Sequence, residues 1–322
     1  MMTTVFLDYG TFNSGLDVNS IRQVTEKLTL HEFTQPAEVI SRAQHAEIII
    51  TNKVVLDAET LAKLPKLKLI CVAATGTNNI DLDAAKQRQI EVCHAKNYAG
   101  PAIAQYVFSQ LFKRFQNIEQ HNYNVASGKW STSQAFCLHD QPINELAGKT
   151  LGILGYGHIG QAVAKAARAF DMKVLIAERP DSQTVREGRV SFDDMLAYAD
   201  IVSLHCSSTP ATQGLINSDR LAQMKPSSIL INTARGDLID NNALANALRT
   251  QQLSYAILDV LDQEPPPSSH PLVAGMVSGD IPNLAITGHI AWASQQAQQR
   301  ILNIVTANIV GFNTGKLINK VN

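Results

Sequence analysis

The chain has 322 residues, of which 45% are hydrophobic and 17% charged, so its composition is that of a globular protein with enough length for two domains. A formal net charge of −1 offers no overall attraction for nucleic acid or an anionic membrane, and we expect neither as a partner. No apolar run is long enough to span a bilayer, and the N-terminus lacks the pattern of a signal peptide. Four scattered cysteines without metal-ligand spacing predict reduced thiols, no metal site and a cytoplasmic location.

Short apolar runs alternate with helical patterns through the first hundred residues. Strands are predicted at 4–8, 47–51, 67–73 and 90–94, with helices at 57–64 and 82–88. Such alternation is typical of a parallel sheet that is covered by helices on both faces. Because this block has no glycine-rich nucleotide motif, we predict a small α/β domain with a different task.

A long helix is predicted to begin at Gly100-Pro101, since proline suits a first helical turn and apolar residues recur at helical spacing as far as Phe115. The periodicity then disappears between His121 and Leu146. An irregular segment of this length inside a compact domain is usually functional or packed against a partner. We predict an arm that packs against a second subunit.

The stretch from 149 to 180 has the pattern of a strand, a glycine-spaced turn, an Ala-rich helix and a second strand that ends in an acid. Glu178 follows the third glycine of the turn by 18 residues, which is typical of a dinucleotide-binding βαβ unit. Gly155 permits the tight turn, Gly157 lets the backbone approach a pyrophosphate, and Gly160 lets the helix pack closely on the strand. We expect the helix N-terminus to bind the phosphates and Glu178 to accept hydrogen bonds from a ribose diol.

The charges at the end of the second strand predict the choice of dinucleotide. Glu178 would repel a 2′-phosphate and accept a ribose diol, which favours NAD as the cofactor. Arg179 beside it is suited to hold a phosphate, so NADP is the alternative.

Strands and helices continue to alternate to the end of the chain. Ser191 and Asp194 have the spacing of a capping box ahead of a helix at 195–198. Further strands are predicted at 201–205, 228–232, 255–260 and 284–287, and helices at 241–251 and 294–312. We therefore predict two α/β domains with parallel sheets, Rossmann-like or flavodoxin-like. The dinucleotide-binding domain, 101–291, is inserted into a substrate domain made of 1–100 and 292–322.

Three polar side chains follow strands in the second half of the chain: Arg235, Glu264 and His289. Ligands of doubly wound sheets bind at the carboxyl ends of the strands, so we expect these groups around one site. Arginine binds a carboxylate bidentately, histidine exchanges protons near neutral pH, and a neighbouring glutamate favours the protonated imidazole. The set predicts a site for hydride transfer to a keto acid. His205, also at a strand end, is the rival base.

Together these motifs resemble those of the D-2-hydroxyacid dehydrogenase family over nearly the whole chain. The resemblance is carried by AATGTNNID at 73–81, LAGKTLGILGYGHIG at 146–160, ADIVSLH at 199–205, INTARG at 231–236, LDV with a following EP at 258–265, and HIAWAS at 289–294. Within the family the motifs look most like those of glycerate dehydrogenases, also called hydroxypyruvate reductases. The resemblance implies an NAD-dependent homodimer that reversibly reduces a small 2-keto acid, such as hydroxypyruvate or glyoxylate, to the D-2-hydroxy acid.

The resemblance also implies roles for individual residues. Arg235 would bind and polarise the substrate, Glu264 would support His289, and His289 would be the proton donor or acceptor. Backbone N–H groups around Thr75 and Gly76 would bind the substrate carboxylate. The implied cofactor-binding residues are Gly155, Gly157, His158, Ile159, Gly160, Glu178, Arg179, Cys206, Thr233, Ala234, Arg235 and Asp259, the last on the nicotinamide carboxamide.

The chain departs from the family pattern at three positions. Gly288 replaces the proline that usually precedes the histidine, His158 stands where arginine is frequent, and Cys206-Ser207 replaces the usual x-Pro after His205. The first and third departures predict more mobile loops. Two alternatives stay open: a related dehydrogenase for another 2-keto acid, a phosphorylated sugar acid or formate, and a nucleotide-sensing regulatory protein on the same scaffold.

Overall fold

The structure, a computed structural model, describes residues 2–322 and divides into two compact units. The first unit comprises the chain up to Ala99 together with Trp292–Asn322, and the second unit comprises Gly100–Ala291. Each unit is built on its own parallel sheet. The predicted α/β class with two parallel sheets is therefore confirmed. No helix within residues 2–322 has both the length and the apolar character needed to cross a bilayer.

The sheet of the first unit has five strands in the order β2-β1-β3-β4-β5. These are β1 (Thr3–Phe6), β2 (Lys27–Leu30), β3 (Ile48–Thr51), β4 (Leu69–Val72) and β5 (Glu91–His94), joined through α1 (Asn19–Val24), α2 (Val39–Ala43), α3 (Ala58–Ala62) and α4 (Leu82–Gln87). Strands β3 and β4 are buried along their whole length because helices cover both faces. The sequence patterns missed β2, α1 and α2, which are short and contribute few buried side chains.

The sheet of the second unit has six parallel strands in the order β11-β10-β9-β8-β6-β7. The strands are β6 (Thr150–Leu154), β7 (Lys173–Ala177), β8 (Ile201–Leu204), β9 (Ile229–Asn232), β10 (Tyr255–Leu258) and β11 (Leu284–Ile286). The helices are α5 (Gly100–Gln116), α6 (Ile118–Ala126), α7 (His158–Ala169), α8 (Phe192–Tyr198), α9 (Ser218–Gln223), α10 (Asn241–Arg249) and α11 (Pro271–Ser278). The last helix of the chain, α12 (Gln295–Asn313), belongs to the first unit and packs on β4.

Both sheets reverse their strand order beside the first strand of the unit. In the first unit β1 lies between β2 and β3, and in the second unit β6 lies between β7 and β8. Such a reversal is a topological switch point, where the loops on the two sides diverge and leave a crevice at the carboxyl ends of the strands. The fold thus offers one crevice in each unit.

The irregular segment predicted for His121–Leu146 begins later than expected. Helix α6 continues through Ala126, so the irregular chain starts at Ser127. A left-handed residue, Asn117 with φ of 49°, separates α6 from α5. The large apolar side chains of α6 are exposed, and its buried residue is the polar Asn124. The sequence therefore carries no apolar stripe that would have predicted this helix.

Candidate active site

Three neighbouring strands of the second unit end at the same level. Asn232 at the end of β9, Leu258 at the end of β10 and Ile286 at the end of β11 are register partners. Because the strands are parallel, the loops that follow leave from one edge of the sheet. Arg235 and His289 each lie three residues beyond their strand. The fold therefore brings these loops to one edge, as their strand-end positions predicted.

His289 forms a direct pair with Glu264. The Nδ1 atom of His289 lies 2.7 Å from Oε2 of Glu264, and the other oxygen of Glu264 accepts a hydrogen bond from Leu261 N at 3.0 Å. The backbone of His289 is left-handed, with φ of 58°, and its N–H donates to Asp259 O at 2.8 Å. Both ends of the pair are thus fixed to the backbone. The second ring nitrogen, Nε2, is left for a ligand.

Asp259 fixes the loop that carries the histidine. Its buried carboxylate accepts hydrogen bonds from Thr287 Oγ1 at 2.6 Å, Ile290 N at 2.9 Å and Ala291 N at 2.8 Å. Burial raises the pKa of Asp259, and these hydrogen bonds oppose that effect by stabilising the charged form. The three bonds restrain the backbone on both sides of Gly288.

Asn232 holds the loop of Arg235 in the same way. Its side chain donates to Arg235 O at 2.7 Å and accepts from Ala234 N at 2.9 Å. A Cβ on Gly236 would lie 1.8 Å from the carbonyl carbon of Leu261, so only glycine allows this loop to approach the segment that leads to Glu264. Asn232 was not among the predicted site residues. Its signal was a single amide at the end of the otherwise apolar strand Ile-Leu-Ile-Asn.

His205 is a poor rival for the acid–base role. Its Nε2 lies 2.9 Å from Ser203 Oγ, and its Nδ1 lies 3.5 Å from Thr233 Oγ1. Burial lowers the pKa of His205 to about 4, so the ring is neutral at physiological pH and has no proton to give. Burial also raises the pKa of the adjacent Cys206 thiol to about 11, which keeps it protonated. We assign both residues a supporting position beside the turn after β6.

The glycine turn after β6 has the shape that a dinucleotide needs. Gly155 is left-handed, with φ of 94°, and a Cβ there would lie 2.5 Å from Cys206 N. A Cβ on Gly160 would lie 2.1 Å from Gly155 O, so this glycine allows α7 to pack on the turn. A Cβ on Gly157 would instead meet no atom within 4 Å. The surface at Gly157 is therefore open to a ligand.

The N-terminus of α7 faces this opening without a side-chain cap. Gly157 is the N-cap residue, and His158 and Ile159 are the first residues of the helix. Helix N-termini present unpaired N–H groups and partial positive charge, which favour a phosphate. The open glycine and the uncapped N–H groups together fit the pyrophosphate of NAD. The structure thus places Gly155, Gly157, His158, Ile159 and Gly160 together in one turn at the N-terminus of α7.

Glu178 directly follows β7, as predicted, but its carboxylate is already paired. Arg186 Nε lies 2.8 Å from one carboxylate oxygen and Arg186 Nη2 lies 2.5 Å from the other. This pair holds the pKa of Glu178 at about 2. The neighbouring Arg179 is exposed and donates only its backbone N–H to Glu178, at 3.2 Å. Arg186 was not among the predicted site residues, because nothing in the sequence pattern predicts that the loop returns to the end of its own strand.

Thr75 and Gly76 lie in the first unit, in the loop after β4. The carbonyl of Thr75 accepts a hydrogen bond from Nδ1 of His94 at 2.8 Å, which fixes the loop to the end of β5. Within residues 2–322, the N–H groups of Thr75 and Gly76 donate to no protein acceptor. Adjacent unpaired N–H groups in a turn suit an anion such as a carboxylate.

Comparison with known proteins agrees with this geometry. Residues 108–291 match the family model for the D-isomer specific 2-hydroxyacid dehydrogenase, NAD binding domain. Glycerate dehydrogenase of Methylorubrum extorquens is 41% identical over 292 residues, covering 89% of this chain and 90% of that protein. Hydroxypyruvate reductase of Blautia hydrogenotrophica is 34% identical and matches over 100% of both chains. The structure of an acyclic imino acid reductase in complex with NADPH and D-Arg is 27% identical and superposes over 100% of both chains with a TM-score of 0.83. The protein described here therefore belongs to the D-isomer-specific 2-hydroxyacid dehydrogenase family, and it is an oxidoreductase with an NAD-binding domain.

Proposed function

We propose that the enzyme reduces a small 2-keto acid, hydroxypyruvate or glyoxylate, to the 2-hydroxy acid, with D configuration where the product is chiral. The observation that carries this proposal is the His289–Glu264 pair, at 2.7 Å, on the sheet edge that also bears the loop of Arg235. The names of the two relatives, glycerate dehydrogenase and hydroxypyruvate reductase, support a three-carbon substrate.

The chemistry divides among the three side chains. A dinucleotide held at the glycine turn after β6 would supply or accept the hydride at the substrate carbon. Arg235 binds the substrate carboxylate with two parallel N–H donors and polarises the adjacent carbonyl. His289 donates a proton from Nε2 to the carbonyl oxygen, which becomes the hydroxyl, and takes it back in the reverse direction. Glu264 accepts a hydrogen bond from Nδ1–H and stabilises the imidazolium that must carry this proton.

The two units take different parts of the reaction in this proposal. The second unit is the dinucleotide domain, since it holds the open glycine turn and the His289–Glu264 pair. The first unit is the substrate domain. Its unpaired N–H groups at Thr75 and Gly76 bind the substrate carboxylate. Asp259 holds the nicotinamide carboxamide in addition to the loop around Gly288, and Thr233 and Ala234 line the nicotinamide.

The proposed assembly is a homodimer formed through residues 118–143. This segment is rich in exposed apolar side chains, each between 49% and 90% exposed: Ile118, Tyr123, Val125, Trp130, Phe136 and Ile143. Phe136 is 90% exposed. Apolar patches of this kind mark protein–protein interfaces, and a second copy covers the patch without any further partner.

Sedimentation tests the dimer. Phe136→Asp is expected to convert the dimer to a monomer, because it places a charge at the most exposed apolar side chain of this segment. Phe33→Asp is the matched control, since Phe33 is also exposed, at 62%, but belongs to the first unit. A wild-type monomer, or equal effects of the two substitutions, would contradict the assignment.

A reducing, cytoplasmic compartment completes the proposal. Cys71 and Cys93 are register partners on β4 and β5, both buried, and all four cysteines are free thiols. Burial raises the pKa of the Cys93 thiol to about 12, which keeps it unreactive. Localisation of a tagged full-length protein by fractionation checks this assignment, and recovery outside the cytoplasm would contradict it.

The substrate assignment is tested by following cofactor oxidation at 340 nm with hydroxypyruvate, glyoxylate, pyruvate and longer 2-keto acids. We expect the highest kcat/KM with hydroxypyruvate or glyoxylate. Higher kcat/KM with a bulkier or phosphorylated acid would keep the mechanism and overturn the substrate. Tight cofactor binding without turnover of any acid would instead support a nucleotide-sensing role.

A further inference from the structure

The acid of the His289–Glu264 pair stands on an exposed loop. This loop, residues 262–269 or the Glu264 loop, is exposed throughout, whereas Leu261 before it and His270 after it are buried. Packing therefore fixes the two ends of the loop more firmly than the segment between them. Leu261 N donates to Oε1 of Glu264 at 3.0 Å, so the acid is tied to one of these ends. The direction of its carboxylate thus depends on how the ends of the loop are held.

The two ends of the Glu264 loop are fixed by different parts of the second unit. The first end follows β10 and packs against the turn after β9, where a Cβ on Gly236 would lie 2.2 Å from Asp262 N. The second end is His270, the N-cap residue of α11, whose carbonyl accepts a hydrogen bond from Ala274 N at 2.8 Å. Helix α11 in turn packs on α10. A direct bond between the two ends would therefore close the loop on two firm supports.

Such a bond joins His270 to Asp262. Nε2 of His270 lies 2.9 Å from Oδ1 of Asp262, and the same oxygen accepts a hydrogen bond from Gln263 N at 3.1 Å. The side chain of His270 is 5% exposed and that of Asp262 is 48% exposed. Nδ1 of His270 is buried and has no hydrogen-bond partner in the part of the chain that the structure describes. A proton on Nδ1 would be unpaired, so the neutral ring carries its proton on Nε2 and donates to Asp262.

We propose that His270 is a positioning residue: by donating to Asp262 it closes the base of the Glu264 loop and holds Glu264 against His289. This inference rests on the proposed reaction, in which Glu264 stabilises protonated His289. Without the bond the loop keeps its buried ends but samples more arrangements, so Glu264 pairs with His289 for less of the time. Asp259, which also interacts electrostatically with His289, precedes the loop and keeps its own hydrogen bonds. The loss should therefore reach His289 through Glu264.

Two substitutions of His270 separate the hydrogen bond from the packing. His270→Leu fills the buried site but has no donor, whereas His270→Gln keeps an N–H donor near the position of Nε2. For keto-acid reduction we expect His270→Leu to lower kcat about 10- to 100-fold and to change KM less than about threefold, because the substrate contacts remain and the proton donor is misplaced. The alkaline limb of the kcat profile should move to lower pH by about 0.5 to 1 unit. His270→Gln should recover most of both changes.

Leu272→Ala is the matched control for a merely structural role. Leu272 is fully buried and lies two residues from His270, so its truncation lowers the Tm without removing the bond to Asp262. Its kcat and its pH profile should match those of wild type. The proposal would be overturned by a wild-type kcat and pH profile in His270→Leu. It would also be overturned if Leu272→Ala showed the same changes in kcat and pH profile at an equal loss of Tm.

A second variant keeps the test decisive if His270→Leu does not fold. Asp262→Ala removes the acceptor from the exposed side of the bond, and NMR titration of histidine-labelled protein then measures the effect without turnover. The signal of His289 is assigned by its loss in His289→Ala, and its midpoint should fall by about 0.5 to 1 pH unit in Asp262→Ala. An unchanged midpoint would overturn the proposal. Absence of keto-acid turnover in the wild type would overturn the proposed function but leave this titration valid, so the two proposals fail separately.

Discussion

The two units place different chemistry at the same point of the same topology. After β6 in the second unit, the glycine turn leaves the surface at Gly157 open and the N–H groups of α7 without a side-chain cap. After β1 in the first unit stands Asp8, whose side chain is buried. It accepts hydrogen bonds from the N–H groups of Asn52, at 2.9 Å, and Lys53, at 2.6 Å. One crevice is thus open to an external anion, and the other is filled by a carboxylate of the chain itself.

This difference shows that the strand order creates a crevice but does not decide its occupant. Three glycines and an uncapped helix favour a phosphate in the second unit. In the first unit a single aspartate instead accepts hydrogen bonds from N–H groups of the loop after β3, at the cost of a buried charge. Burial raises the pKa of Asp8, and its backbone hydrogen bonds oppose this effect. The first unit therefore uses a different loop, at Thr75 and Gly76, for its proposed anion.

The largest expected effect comes from removing the proton donor of the second unit. His289→Ala should lower kcat by about 10²- to 10⁴-fold, because general acid–base catalysis contributes about that much, and should leave the Kd for NADH nearly unchanged. Steady-state kinetics and fluorescence titration with NADH separate the two quantities. His45→Ala, at an exposed histidine of the first unit, is the control. Near wild-type kcat in His289→Ala would return His205 to consideration.

The half-buried His205 of the second unit should affect the pH dependence of stability instead of catalysis. The pKa of His205 is about 4 in the folded protein, against 6.5 when exposed. The unfolded chain therefore binds more protons than the folded protein between these pH values. The stability that the neutral His205 contributes is complete above pH 6.5 and is lost as the pH falls. The loss amounts to about 3 kcal/mol at pH 4. A plot of the free energy of unfolding against pH should be flatter for His205→Asn than for wild type between pH 4 and 6.5. Equal slopes for the two proteins would contradict the lowered pKa of His205.

Two alanine substitutions separate packing from ligand approach in the glycine turn. Gly160→Ala places a Cβ 2.1 Å from Gly155 O, so it should reduce the free energy of unfolding by about 1–3 kcal/mol. Gly157→Ala meets no protein atom, so its stability should stay within about 0.5 kcal/mol of wild type. Its Kd for NADH should nevertheless rise at least tenfold, because the methyl group occupies the pyrophosphate approach. Unimpaired NADH binding by Gly157→Ala would remove the proposed phosphate position.

The smallest effect is expected where the crevice is filled. Asp8→Asn should lower the free energy of unfolding by about 1–2 kcal/mol, because the amide cannot accept all the hydrogen bonds of the carboxylate. The Kd for NADH should not change, since Asp8 belongs to the first unit. Chemical denaturation and NADH titration measure the two effects. A large loss of NADH affinity would show that the two crevices do not act separately.

Sequence patterns located the parts of this molecule that depend on local spacing. The glycine turn, the buried strands and the N-cap at Ser191, whose side chain accepts a hydrogen bond from Asp194 N, all follow from residues close together in the chain. Across the described residues, 2–322, the reciprocal bond that would complete a capping box is absent, because the Asp194 side chain accepts from Ser191 Oγ. The contact between Glu264 and His289 could also be predicted from the sequence, because residues that follow neighbouring parallel strands lie at one edge of the sheet. In each case a short-range rule was sufficient.

Contacts that depend on the course of a loop could not be predicted from the sequence. Arg186 reaches Glu178 only because Val190 returns to β7, and no periodicity marks that return. The role of Asn232 depends on the loop folding back over the end of its strand. Sequence patterns did not reveal the strand Lys27–Leu30, because it lies at the sheet edge and none of its residues is fully buried. Tertiary context decides all three.

The proposed reduction of hydroxypyruvate to the D-2-hydroxy acid is tested by incubating the enzyme with NADH and hydroxypyruvate and analysing the product on a chiral column. We expect one equivalent of NAD⁺ for each equivalent of D-glycerate, with the rate lost in His289→Ala. Formation of L-glycerate, or NADH oxidation without glycerate, would contradict it.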